Sequence, residues 1–195
     1  MRSTVSGTVI YLHGFLSSGA SMKAAVLRKT APAYGWEVEA PDLNTSPQEA
    51  CRIIEEVFRK AAMKGPVAVV GGSLGGFYAA WIAHETGCKA VLINPAVAPW
   101  EVVDQYIGVH TLLCSDRTVE VKPEFSEQLR NIAVSQFDDA SRILLFLTTG
   151  DEVLDWQRSA KLYDTCPSWV IDGSDHMVSN FADYADDVMR FLVQD

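Results

Sequence analysis

Val67-Ala68-Val69-Val70-Gly71-Gly72-Ser73-Leu74-Gly75-Gly76-Phe77 is the stretch on which the reading of this 195-residue chain turns. Four apolar residues lead into a Gly-x-Ser-x-Gly element, and a helix-like segment follows, so Ser73 sits on a sharp strand-to-helix turn. Such a turn strains the serine backbone, and the positions two before and two after it must lack side chains, which Gly71 and Gly75 satisfy. The same geometry puts Ser73 at a helix N-terminus, where free N–H groups and the helix dipole favour a developing negative charge. A nucleotide-binding reading fails, because the chain has neither Gly-x-Gly-x-x-Gly at its first strand nor a Gly-Lys-Ser/Thr phosphate loop.

Along the rest of the chain, six short apolar runs, that of the elbow among them, read as strands: Thr8–Leu12, Trp36–Ala40, Val67–Val70, Ala90–Ile93, Ile143–Leu147 and Trp169–Ile171. Several are apolar at consecutive positions, the mark of a parallel sheet buried on both faces. Between them, Ala20–Ala33, Pro47–Met63, Leu74–Glu85, Trp156–Asp164 and Asn180–Val193 carry helical periodicity. The alternation predicts one α/β domain over residues 1–195. It is a doubly wound sheet of about six mainly parallel strands with helices on both faces, the α/β-hydrolase fold in minimal form.

One region breaks the rhythm. Residues 95–142 are far more than a crossover after the fourth strand needs, and they read as an insert. It is expected to hold a helix at Pro99–Tyr106, an extended piece at Thr118–Lys122 and a second helix at Ser126–Val134. Its position suits a cap over a pocket, and a decorated crossover without a role at the site fits equally.

A serine nucleophile needs a base. Of the four histidines, His84 lies about three helical turns past Ser73, too far along the axis to reach it, and His110 lies in the insert with no framework to place it. His176 follows the sixth strand in a loop that should emerge on the same sheet edge as Ser73. His13 reads as a loop histidine that fixes a turn. The orienting acid is expected after the fifth strand, and Asp151 is the first candidate. Asp155 reads as the N-cap of the next helix, Glu152 should point elsewhere, and Asp175 is too close in sequence to His176 to reach its imidazole. The order Ser73, Asp151, His176 is that of α/β hydrolases. Backbone N–H groups of Phe15 and Leu74 are the expected oxyanion donors, with Ser17, Ser18 and Ser21 serving the turn and the first helix.

Four blocks together resemble the YqiA-like esterases: Tyr11-Leu12-His13-Gly14-Phe15-Leu16-Ser17-Ser18, Gly72-Ser73-Leu74-Gly75-Gly76-Phe77-Tyr78-Ala79, Asn94-Pro95-Ala96-Val97 and Gly150-Asp151-Glu152-Val153-Leu154-Asp155. The resemblance implies a compact bacterial α/β hydrolase acting on carboxylic esters and thioesters, with the triad on Ser73, Asp151 and His176. None of these blocks falls in Val109–Asp139, so the resemblance does not extend to substrate preference.

Composition bounds the alternatives. Hydrophobic residues make up 48% of the chain and charged ones 21%, as in ordinary globular proteins. A net charge of −9 with scattered Lys and Arg gives no footprint for nucleic acid or an anionic membrane. No segment approaches the roughly 18 apolar residues of a membrane span. The N-terminus carries no signal-peptide pattern, and Cys51, Cys88, Cys114 and Cys166 lie apart without a Cys-x-x-Cys pair, which together suit a cytoplasmic protein. The expected activity is therefore a metal- and cofactor-free serine esterase on small acyl esters. An acyl-CoA thioesterase using the same residues is the nearest alternative, and a binding protein on a hydrolase scaffold is the alternative outside enzymes. Nothing in the sequence sets the oligomeric state.

Overall fold

A computed structural model describes residues 6–113 and 115–194, so the expectations that concern the first five residues and Cys114 fall outside it. Strands β1 (Gly7–Leu12), β2 (Trp36–Glu39), β3 (Val67–Gly72), β4 (Lys89–Ile93), β7 (Ile143–Thr148) and β8 (Ser168–Ile171) form one sheet in the order β2-β1-β3-β4-β7-β8. Every neighbouring pair is parallel. The strand order reverses between β1 and β3, the switch point where open α/β sheets hold their ligands at the carboxyl ends of the strands.

The consecutive apolar runs divide between two cores, as a sheet covered on both sides requires. Ile10, Leu12, Val69, Leu92 and Leu145 face helices α2 (Pro47–Ala62) and α3 (Leu74–Thr86). Val9, Tyr11, Val70, Ile93 and Phe146 face α1 (Met22–Thr30) and α6 (Ala185–Val193). The short α5 (Trp156–Leu162) lies between β7 and β8 in sequence.

Helix ends follow local chemistry. The Ser21 hydroxyl accepts the Ala24 N–H to start α1, and Asp155 caps α5 by accepting from Gln157 at 3.0 Å. The first expected helix, Ala20–Ala33, ends earlier as an α-helix: Pro32 has no N–H to continue the ladder, and Ala31–Tyr34 tightens into a 3-10 turn.

The insert departs most from expectation. The helix expected at Pro99–Tyr106 is two 3-10 turns, Pro99–Glu101 and Val103–Tyr106, interrupted where Val102 leaves helical geometry at φ −122°. The extended piece at Thr118–Lys122 is β6 (Thr118–Val121), paired antiparallel with a strand not anticipated, β5 (Gly108–Thr111). The second helix is α4 (Glu124–Asn131), shifted toward the N-terminus from Ser126–Val134, with an amphipathic face that buries Phe125 and Leu129.

Candidate active site

The elbow takes the strained form its glycines imply. Ser73 has φ 55° and ψ −121°, a conformation nearly closed to non-glycine residues. Its backbone is fully engaged: the N–H donates to Ile93 at 3.0 Å, and the carbonyl accepts from Gly76, Phe77 and Ala96 at 2.9, 3.2 and 3.1 Å. These bonds hold the strained residue between β3, β4 and α3. A Cβ on Gly75 would stand 2.5 Å from the Leu12 carbonyl carbon and 2.7 Å from the His13 oxygen. One on Gly71 would meet Ala79 Cβ at 2.8 Å and the Gly75 carbonyl closer still. Both glycines are thus required by sterics.

The loop after β1 lies against the elbow, where a Cβ on Gly14 would approach Ser73 Cβ to 3.3 Å. His13 is buried and fixes this loop: Nδ1 donates to the Gly14 carbonyl at 2.8 Å and Nε2 accepts the Leu43 N–H at 2.9 Å. That pattern is the neutral tautomer, in keeping with burial that pushes its pKa down against the raising effects of Gly14 and Asp42. The loop histidine is structural. Phe15 and Leu74 both line a cavity with Ser73, and Leu74 is the first residue of α3, where its N–H has no intrahelical acceptor.

Asp151 and His176 meet as a pair, with His176 Nδ1 and Asp151 Oδ2 at 2.8 Å. The Asp151 carboxylate is fully buried, and its Oδ1 accepts the N–H groups of Val153 and Leu154, each at 2.8 Å. An ionised carboxylate only accepts, so the hydrogen sits on His176 Nδ1 and the Nε2 lone pair is free to take a proton. No hydrogen bond links His176 to Ser73 Oγ, a contact that in serine hydrolases often forms fully only in the substrate complex.

The histidine backbone is held on several sides. Glu152, expected to point elsewhere, turns back so that its Oε2 accepts the His176 N–H at 3.0 Å. The bonds from Val153 and Leu154 to Asp151 tighten the turn and bring the intervening Glu152 over the His176 loop. Asn94 Nδ2 donates to the Asp175 and His176 carbonyls at 3.4 and 3.3 Å and to Thr148 Oγ1 at 2.9 Å, while its Oδ1 accepts the Thr148 N–H. Asn94 and Thr148 are both buried, and the pair ties the ends of β4 and β7 to the loop after β8. Neither Glu152 nor Thr148 stood out in the sequence. The Asn-Pro step after a buried strand was the available sign for Asn94.

His84 faces away from the site and contacts the Gln136 carbonyl. His110 does have a framework: β5 sets its ring 6.3 Å from Phe15 and 5.9 Å from Tyr106, and Tyr106 packs edge-on to Phe15 at 5.3 Å. The insert also donates from Leu113 N–H to the Leu16 carbonyl at 2.9 Å and pairs Arg117 with Asp42 at 2.6 Å. It therefore braces the loop that carries Phe15. A cavity of about 220 Å³ opens at Ser73, walled by Leu74, Val97, Val103, Tyr106, Leu129 and Leu154, so the insert supplies one side of it. Among the described residues, no three His, Cys, Asp or Glu side chains cluster as metal ligands, and no helix is long and apolar enough to cross a membrane.

Residues 8–193 match UPF0227, an uncharacterised protein family. A UPF0227 protein from Serratia proteamaculans is 27% identical over 166 residues, covering 79% of this chain and 81% of its own. Among solved structures, mouse alpha/beta hydrolase domain-containing protein 10 superposes with a TM-score of 0.72 at 18% identity, covering 95% of this chain and 90% of its own. The esterase domain of a Rhodothermus marinus protein gives 0.67 at 21% identity, covering 95% and 84%. These likenesses show the α/β-hydrolase fold.

Proposed function

The chain belongs to the UPF0227 family of YqiA-like proteins, and from that premise we propose that it is a serine hydrolase cleaving carboxylic esters through an acyl-Ser73 intermediate. One observation carries the reading: the buried Asp151 carboxylate, with its other oxygen occupied by two backbone N–H groups, accepts from His176 Nδ1 at 2.8 Å, on the sheet edge where Ser73 is strained at φ 55°. Strain of that kind is costly and persists where function requires it.

In the proposed mechanism, Ser73 Oγ attacks the acyl carbon while His176 Nε2 takes its proton, and Asp151 stabilises the imidazolium without becoming protonated. The tetrahedral oxyanion accepts hydrogen bonds from the Phe15 and Leu74 N–H groups. His176 then delivers the proton to the departing alkoxide, leaving the acyl group on Ser73. Water, deprotonated by the same Nε2, attacks the acyl carbon and releases the acid and the restored Ser73 hydroxyl. The residues supply nucleophile, base and electrostatic stabilisation, and no step calls for a cofactor. The apolar walls of the cavity favour an uncharged acyl group, and a volume just under the ~300–1,000 Å³ of sites for drug-sized ligands favours a compact one.

The test is turnover of matched p-nitrophenyl esters and acyl thioesters by wild type and Ser73→Ala. Ester hydrolysis that vanishes in the variant supports the reading, and a wild type that turns over neither substrate class refutes it. Thioester turnover well above ester turnover moves the assignment to a thioesterase with the same machinery.

A further inference from the structure

Gly-x-Ser-x-Gly leaves its first x free, yet Gly72 occupies it, and a side chain passes through the space. Lys23 of α1 is 5% exposed. Its Cε lies 3.1 Å and its Nζ 3.9 Å from where a Cβ on Gly72 would stand. The ammonium donates to the Met177 carbonyl at 2.5 Å, on the residue directly after His176. That carbonyl belongs to the peptide leading into Val178, a fully buried β-branched residue held at φ 50°, a conformation such residues rarely adopt. A buried lysine thus grips the strained peptide of the His176 loop from beneath the elbow.

Resting on the hydrolase reading above, we propose that Lys23 is a positioning residue: its ammonium clamps the His176 loop in register with Ser73, and loss of its proton sets the alkaline limit of activity. The other holds on this loop are Glu152 on the His176 N–H and Asn94 on the Asp175 and His176 carbonyls. Lys23 alone among them holds by an ammonium. Burial pushes its pKa down to about 8, against the opposing charge of Asp175. A charge-assisted bond is roughly twice as strong as a neutral one, so the grip weakens once the amine is neutral.

The charge that acts on Lys23 is that of Asp175. From β1, Tyr11 presents a hydroxyl whose ionisation burial pushes up, against the lowering hydrogen bond from Ser21. The loop after β8 presents Asp175, held well below the usual carboxylate range by its hydrogen bonds with Ser179, and His176 beside it. The Phe181–Asp183 turn and α6 turn Phe181, Ala185, Val188 and Met189 into the shared core, all apolar.

The experiment compares wild type and Lys23→Met in two measurements from pH 6 to 10: fluorophosphonate labelling of Ser73, and ester hydrolysis separated into kcat and KM. Wild type is expected to lose about tenfold or more in rate with a midpoint near pH 8, since sub-ångström to 1 Å displacements of a base cost up to about 100-fold. Lys23→Met is expected to show the reduced rate at pH 7 already, with no midpoint near 8, an unchanged KM and undiminished stability to urea. A folded Lys23→Met with the wild-type rate and profile overturns the role of Lys23 alone. Should that variant fail to fold, the wild-type profile still decides: no midpoint between pH 7.5 and 9 overturns the clamp. A wild type that takes no label at any pH removes the hydrolase reading and the clamp with it.

Discussion

Asp151→Asn keeps the shape of the side chain and changes one atom from acceptor to donor. Asp151 Oδ1 accepts two backbone N–H groups at 2.8 Å, while Oδ2 accepts from His176 Nδ1 at the same distance. The asparagine must choose an orientation. Turning its NH₂ toward Val153 and Leu154 would face three donors together and forfeit two hydrogen bonds of about 0.5–1.5 kcal/mol each. Keeping its oxygen there places the NH₂ against His176, which then accepts at Nδ1 and carries its hydrogen on Nε2. In that tautomer Nε2 has no lone pair for the Ser73 proton. The equivalent tautomer fault in serine proteases of unrelated fold costs ~10⁴ in kcat, which is about 5.4 kcal/mol of transition-state stabilisation. The assay is kcat on a chromogenic ester at pH 7.5, with circular dichroism to verify folding. A folded Asp151→Asn within tenfold of wild type would refute the assignment of Asp151 as the orienting acid.

Three further outcomes follow from the same geometry. Gly75→Ala drives a methyl into the Leu12 and His13 backbone, where no flexible side chain can yield, and is expected to cost more than about 4 kcal/mol; a loss under about 1 kcal/mol in urea unfolding would contradict the elbow geometry. Asn94→Ala strands the buried Thr148 N–H and frees the His176 loop, with an expected loss of about 2–3 kcal/mol accompanied by slower Ser73 labelling, and normal labelling would remove Asn94 from the positioning set. Lys23 also makes stability depend on pH: its folded pKa of about 8 lies below the unfolded value of 10.5, so the unfolded chain binds the extra proton in that window and the burial penalty is relieved as pH rises through it. Wild type should therefore gain about 2 kcal/mol on Lys23→Met between pH 7 and 9.5, and parallel urea midpoints across that range would contradict a buried ammonium.

The sheet was legible because its strands are apolar on consecutive positions, so the pattern of Val67–Val70 or Ile143–Leu147 admits little besides a strand buried on both faces. Ser73 was legible for a similar reason: sterics demand glycine at two fixed spacings. The meeting of Asp151 with His176 could be expected from the strand order and from the gathering of loops at the carboxyl ends of the strands in an open α/β sheet. The insert was harder to read. In β5 only half the residues are covered, and it pairs with β6 across a turn, so Val109-His110-Thr111 carries too little periodicity to show as a strand. Val102 and Val103 likewise left the failure of the helix at Pro99–Tyr106 unmarked.

The residues that support the proposed triad were hidden because they act on backbone atoms far away in sequence. Lys23 reaches Met177 across 154 positions, and Asn94 reaches His176 across 82. Two signs were nonetheless present. Lys23 shares a helix face with the buried Leu27 at i+4, a place where a lysine is out of pattern. Gly72 is a glycine beyond the two that the steric rule of the turn requires, and the lysine stem passing beneath it supplies the reason.

In the proposed mechanism Ser73 is a nucleophile activated by His176. That role is tested most directly by treating the protein with a fluorophosphonate, measuring the intact mass and mapping the adduct by peptide mass spectrometry. One adduct per chain is expected, on Ser73, absent from Ser73→Ala and formed far more slowly in His176→Ala. A wild-type protein that takes no adduct, or one that carries it on another residue while Ser73→Ala is labelled equally, would contradict it.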